Sequence, residues 1–156
     1  MATITVETGT GSASSNSYIS TTDFETYAAD RGIDLVGTSA DLLIKAMDYI
    51  ESNNFKGDKS SSDQALQWPR INFSLDGYVI ASDSIPVLLK DALCETAIGI
   101  DAGNDPLLPE ERATKTESVG DISVTYMDDS RNFTYLKTVD AKLSKLINQS
   151  LRSYRV

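Results

Sequence analysis

A mainly α-helical chain is the fold class this sequence predicts. It reads as a small four-helix bundle with long loops, one or two β-hairpins, an extended N-terminal arm and a C-terminal helix that runs into a tail. Three observations lead there. Apolar residues recur at helical spacing in four stretches. Two runs alternate apolar and polar residues around the turn pairs Asp76-Gly77 and Gly120-Asp121. Segments 1–16 and 53–84 carry no helical period.

Met1 to Asn16 is rich in Thr, Ser, Gly and Ala and reads as an arm, flexible or ordered by a partner. Ile4 and Val6 would pair as a strand if an edge were offered. Gly9-Thr10-Gly11-Ser12 suggests a phosphate loop, yet no Gly-Lys-Ser/Thr follows and the third glycine of a dinucleotide loop is missing. Ser20 to Gly32 is a compact helix signature. Ser20 with Asp23 forms a capping pair, Ile19 and Phe24 occupy the staple positions, and Gly32 ends the helix. A second helix spans Ser39 to Ser52, with Thr38 as its cap and Asp41 in its first turn. Leu42, Leu43, Ala46, Met47 and Ile50 form its core face, while Lys45, Asp48 and Glu51 line another side.

Residues 53–84 make a long excursion. Within it, Lys56 to Asp63 reads as mobile and Gln64 to Arg70 as structured. Pro69 biases Trp68 toward extended backbone, and Arg70 offers a planar donor fork to carboxylates or carbonyls. Trp68, Pro69 and Arg70 are therefore the candidate anchor. Trp68 either plugs the bundle or serves as an aromatic contact at an interface or a base-stacking platform. Ile71, Phe73 and Leu75 alternate into Asp76-Gly77, a two-residue hairpin turn, and Tyr78 and Ile80 resume the alternation.

Ile85 to Ile100 is the most apolar helical run. Pro86 suits its first turn and Ser84 is a candidate cap. Its apolar residues cover well over half the circumference, more than a surface helix needs. Burying a large apolar side chain contributes about 1.5–3 kcal/mol, against about 1–2 kcal/mol per residue to order the backbone. The helix gains little unless most of its arc is covered, by the bundle or by a neighbouring subunit. Asp105 to Glu111 is an acidic linker without the calcium-loop spacing. Thr114 to Met127 reads as a second hairpin. Arg131 to Thr138 is a loop, and Val139 to Leu151 is the last helix. The tail follows: Leu151, Arg152, Ser153, Tyr154, Arg155 and Val156.

The net charge of −9 is unevenly placed. Residues 1–130 carry −14 and residues 131–156 carry +5. An acidic body repels nucleic-acid phosphates, while a basic tail seeks an acidic partner. The chain has no histidine, which removes Ser-His-Asp and Cys-His catalysis and most zinc sites. Its one cysteine, Cys94, lies on the apolar arc and reads as an inert buried thiol. The carboxylates look scattered over solvated faces. No catalytic residue, cofactor-binding residue or metal ligand is expected, and the chain is not expected to be an enzyme. No run of 18 apolar residues suggests a membrane span, and the N-terminus lacks a signal-peptide pattern. A cytosolic origin is expected.

An ordered set of motifs carries a resemblance over residues 17 to about 127. It comprises Tyr27-Ala28-Ala29-Asp30-Arg31-Gly32, Ala46-Met47-Asp48-Tyr49-Ile50, Phe55-Lys56-Gly57, Gln64 to Arg70, Asp76-Gly77-Tyr78, Ile85-Pro86 and Leu93-Cys94-Glu95. The chain resembles tailed-phage head–tail connector, or adaptor, proteins, also called head-completion proteins. Members are sometimes labelled DnaT-like single-stranded-DNA-binding proteins. The resemblance implies an arm at 1–18, a helical adaptor domain with hairpins at 19–127, and a C-terminal helix and portal-docking tail at 128–156. It implies a structural virion protein made in the host cytoplasm and placed in the neck. There a ring, typically a dodecamer, would sit between the portal protein and the next neck or tail component. DNA would pass through its channel without tight binding, and no membrane is involved. The alternative is a DnaT-like single-stranded-DNA binder, which calls for a basic groove interleaved with aromatics. Trp68 with Arg70, and Tyr154 with Arg152 and Arg155, are the groups that offer one.

Overall fold

The structure is a computed structural model that describes residues 2–108, 116–119, 122–125 and 136–148, with 116–119 and 122–125 as backbone alone. Helix α1 spans Thr21–Ala29, α2 Ser39–Glu51, α3 Val87–Asp101 and α4 Lys137–Leu143. Ser20 caps α1 as its sequence suggests. Its hydroxyl accepts from the Asp23 N–H at 3.1 Å and donates to the Asp23 carboxylate at 2.8 Å. Ile19 and Phe24 are both buried beside it. Gly32, at φ +66°, turns the chain out of the helix, and the Ile33 N–H closes on the Ala28 carbonyl. Thr38 precedes α2 without a side-chain cap bond. Pro86 is the N-cap of α3 rather than a residue of its first turn.

Helix α3 is the centre. Leu89, Ala92, Leu93, Cys94, Thr96, Ala97 and Ile100 are buried along it. Helix α2 runs antiparallel to it, because the Gly37 N–H, just before α2, donates to the Asp101 carboxylate at the end of α3 (2.7 Å). Helix α4 is antiparallel as well. Leu136, just before α4, sits against Gly99 near the end of α3, where an added Cβ would lie 3.0 Å from the leucine.

These helices do not make the expected four-helix bundle. With nine and seven residues, α1 and α4 are about 14 and 10 Å long, too short to run the length of α3. Much of the core comes from outside the helices: Tyr18, Phe55, Leu66, Trp68, Phe73 and Ile85 are all buried. The architecture is a mixed α/β one: the described residues form four helices and three two-stranded antiparallel ladders. The long excursion, expected as a loop hung on the helices, supplies Phe55, Leu66, Trp68 and Phe73 to the core. Helix α4 is also shorter than the expected 139–151 helix: after Leu143 the chain turns, Leu146 is buried, and Ile147 bridges Phe55 antiparallel.

Strand β1 (Asp58–Lys59) pairs with β2 (Arg70–Ile71), closing the excursion. Strands β3 (Ser74–Leu75) and β4 (Tyr78–Val79) form the first hairpin. Its turn residues Asp76 and Gly77 have φ of 50° and 90°, the positive pair a tight hairpin turn demands. Strands β5 (Thr116–Val119) and β6 (Ile122–Thr125) form the second hairpin where the alternation places it.

The N-terminal arm folds back on the body. The Glu7 N–H donates to the Ser17 carbonyl (2.8 Å), Val6 bridges Ser17, and Tyr18 enters the core fully buried. Gly9 passes so close to Asp83 that a Cβ there would meet its carbonyl oxygen at 1.8 Å, and its φ is +106°. Both facts demand glycine.

Candidate functional site

Among the described residues the Gln64–Arg70 stretch is the polar site with the most internal hydrogen bonds from one side chain, and it faces inward. The Trp68 ring is fully buried, edge-on to Phe55 (6.1 Å between centroids) and Phe73 (5.0 Å). Among the described residues its Nε1 has no hydrogen-bond partner, and the ring is held by packing. Pro69, joined to Trp68 by a cis peptide bond, is buried too. Gln64 holds the stretch from inside: its amide donates to the carbonyls of Leu66 (2.8 Å) and Pro69 (3.1 Å) and accepts from the Ser61 N–H (2.9 Å).

Arg70, 7% exposed, spends its whole fork on carbonyls. Nε donates to Lys56 O (2.7 Å), Nη1 to Gln67 O (3.1 Å) and Gln67 Oε1 (3.0 Å), and Nη2 to Phe55 O (3.2 Å) and Gly57 O (2.6 Å). Burial lowers its pKa from the ordinary value, while the acidic groups of Asp58, Tyr18 and Glu51 work against that. The guanidinium stays charged. Trp68, Pro69 and Arg70 are thus a structural anchor. Neither a partner nor a nucleobase can stack on a ring with no exposed face.

A buried polar chain joins arm, α2 and anchor. The Tyr18 hydroxyl donates to Glu51, and it accepts from the Trp68 N–H (3.2 Å). The Gln67 N–H donates to the other Glu51 oxygen (2.7 Å). Burial raises the Glu51 pKa, opposed by these donors. Burial and the Glu51 carboxylate together push the Tyr18 hydroxyl far up. Helical spacing places Glu51 with Lys45 and Asp48 on a solvated side, because periodicity alone cannot see that the arm delivers Tyr18 to it.

The phosphate-like loop does cradle an anion, the chain's own Glu7. One Glu7 oxygen accepts from the N–H groups of Gly9 (2.8 Å) and Gly11 (3.0 Å), the other from Ser12 N–H (2.7 Å). Burial would raise its pKa, but these amides outweigh burial and hold it below the ordinary 4.5. Its stabilisation is therefore complete above that value and is lost as pH falls through the depressed folded value. Glu51 acts oppositely: a raised folded pKa withdraws stability as pH rises through it. Glu7→Gln, which turns one acceptor oxygen into a donor facing N–H groups, is expected to cost about 1–3 kcal/mol at neutral pH. In thermal melts the gap from wild type should narrow as pH drops below 4.5.

On the outer face, Tyr27 gathers a second cluster. Its hydroxyl donates to Glu95 (2.8 Å) and accepts from Lys142 Nζ (3.2 Å), and the Arg31 guanidinium stacks 3.3 Å over its ring. Lys142 also pairs with Asp91 (3.7 Å) and Glu95 (3.8 Å). Burial pushes the neighbouring Cys94 thiol up to about 12, the mark of an unreactive thiol.

The exposed surface has a different character. Val36, Ile71, Tyr78, Val79, Val87, Leu107 and Leu108 stand in solvent. Tyr78 is the single exposed aromatic among the described residues, and its hairpin tip carries Asp76, paired to Lys145 (3.2 Å). A shallow cleft of about 280 Å³ lies between α1, loop 33–37 and the start of α2, with Glu25 and Asp34 among its walls. Among the described residues no three metal-ligating side chains come together, and no helix is long and apolar enough to cross a membrane. The tail, Leu151, Arg152, Ser153, Tyr154, Arg155 and Val156, lies outside the described residues.

No curated protein and no solved structure matches the chain. A family model described as "Putative DnaT-like ssDNA binding protein" matches residues 2–156. That span is almost the entire sequence, and the chain belongs to this DnaT-like family.

Proposed function

We propose that this chain is a structural adaptor, a virion protein made in the host cytoplasm that forms a ring between the portal protein and the next neck component and lines the DNA channel. The observation that carries this reading is where the cations and aromatics go. Trp68 and Arg70, the described pair best suited to hold a nucleobase and phosphate, are buried on the protein's own backbone. What is left outside is acidic surface with exposed aliphatic residues on loops and a hairpin, which suits protein contacts and lets DNA slide past. Tail residues 151–156 are assigned to portal docking, and copies of the chain to one another.

The family description favours a second reading, single-stranded-DNA binding, and supports it more directly than it supports the adaptor. Under that reading the basic residues 131–156 would supply the phosphate contacts.

Light scattering after size exclusion, on the chain alone and mixed with the portal protein of the same genome, separates the two. The adaptor reading expects a mixed peak with one copy per portal subunit, lost on deleting residues 151–156 while the melting temperature stays put. No mixed peak from two folded proteins, together with tight and salt-sensitive binding to a single-stranded oligonucleotide, would establish the DNA reading instead.

A further inference from the structure

The arm carries an anion and its receptor on successive segments. Glu7 ends one, and residues 9–15 form the other. Gly9 and Gly11 have φ of +106° and +68°, which turns neighbouring N–H groups to one side and makes a concave donor set. Gly9, Gly11 and Ser12 donate those N–H groups to the Glu7 carboxylate. The Thr10 hydroxyl stands 3.4 Å from one of its oxygens. No lysine or arginine pairs with Glu7 among the described residues, so main-chain N–H groups carry most of the charge.

Two features go beyond a side chain that caps its own loop. The cradle is held in shape by groups other than Glu7. The Ser12 carbonyl accepts from the Ala65 N–H (2.9 Å), and Gly9 lies against the Asp83 carbonyl. Neither tie is lost when the carboxylate leaves. The cradle also has one donor too many. The Ser15 hydroxyl belongs to a residue 4% exposed and is close enough to Glu7 to help lower its pKa. It completes no hydrogen bond among the described residues. A planar carboxylate has two oxygens, both already engaged here. A phosphate adds oxygens outside that plane. Glu7 is buried, while Thr10 stands in solvent and Gly11 and Ser12 are half-buried, so the rim of the cradle faces solvent.

We propose that residues 9–12 with Ser15 form an oxyanion site that Glu7 fills as a tethered ligand. When Glu7 is withdrawn the site takes a free carboxylate or phosphate, and Ser15 donates only to the tetrahedral anion. Tethering gives Glu7 a high local concentration, so free anions enter only after residues 2–7 move away. By linkage, an anion in the cradle then holds that part of the arm off the body. Release of the arm and capture of an oxyanion are one event. The site is a property of the chain by itself, and it stands or falls independently of the adaptor and DNA readings.

Glu7→Ala empties the cradle, and thermal melts at neutral pH read its refilling. Acetate, which replaces the deleted carboxylate, and phosphate should each raise the melting temperature of this variant saturably. The rise should exceed that from sodium chloride at equal ionic strength and any rise in wild type. In isotope-labelled Glu7→Ala, the amide resonances of Gly9, Gly11 and Ser12 should move most as either anion is added. Adding Ser15→Ala should raise the phosphate concentration at half-effect by about fivefold, the equivalent of one lost hydrogen bond. It should leave that of acetate unchanged. If Glu7→Ala does not fold unaided, trimethylamine N-oxide restores it for the same titrations. A response no larger than chloride or wild type gives, amide shifts centred elsewhere, or a phosphate response indifferent to Ser15 would each overturn the proposal.

Discussion

Replacing Trp68 with alanine is expected to lower the unfolding free energy by about 3–5 kcal/mol, the range for truncating a fully buried aromatic. The melting temperature should fall by on the order of 10 °C for a chain of this size. Three features place Trp68 high in that range. Its ring has no exposed surface. Its neighbours Phe55 and Phe73 meet it edge-on from separate parts of the excursion, so the cavity cannot collapse onto one mobile side chain. The segment around it is held by Gln64 and Tyr18, which resist relaxation. Trp68→Phe is the informative companion. The indole N–H makes no hydrogen bond among the described residues, so phenylalanine forfeits chiefly volume and should cost about 1–2 kcal/mol. Chemical denaturation of the two variants reads both. A near-neutral Trp68→Ala would mean that the ring does not pack in the monomer core.

Arg70→Ala should be comparably severe, about 3–5 kcal/mol. Hydrogen bonds from a charged donor contribute about 1.5–3 kcal/mol each, though water relieves part of the loss. Four carbonyls, of Phe55, Lys56, Gly57 and Gln67, lose a donor together. Arg70→Lys should rescue little, because an ammonium is a point with three donors and cannot span carbonyls on both sides of a planar fork. The fork is also what ties β2 back to the residues between α2 and β1. Amide exchange should therefore speed up across 55–60 and 70–75 in Arg70→Ala before it does in α3. Equal protection in variant and wild type would show that the β1–β2 pairing closes the excursion unaided.

Some of this was plain in the residues. Ser20 and Asp23 cap a helix because a hydroxyl and an acid three residues apart satisfy free N–H groups whatever lies beyond. Asp76-Gly77 makes its hairpin because both residues accept positive φ. Most of the apolar arc of α3 is buried, from Leu89 to Ile100, while Val87 at its start stands in solvent. The sequence is compatible with Trp68 buried or exposed, since a proline-locked tryptophan beside an arginine serves equally well inside or outside. The carbonyl clamp of Arg70 settles that, and its acceptors lie as much as 15 residues away.

What the sequence by itself determined is local: where helix caps and turns fall, the absence of histidine and of a second cysteine to pair with Cys94, and an acidic body followed by a basic end. Tertiary structure alone decided that the chain is a mixed α/β fold rather than a four-helix bundle. It also decided that the arm is anchored by Glu7, and that Glu51 faces Tyr18 rather than water. The physical reason is range. Capping, turn geometry and periodicity act over a few residues. The contacts that fold the 53–84 excursion under the helices join groups up to 93 residues apart, and no spacing rule encodes them.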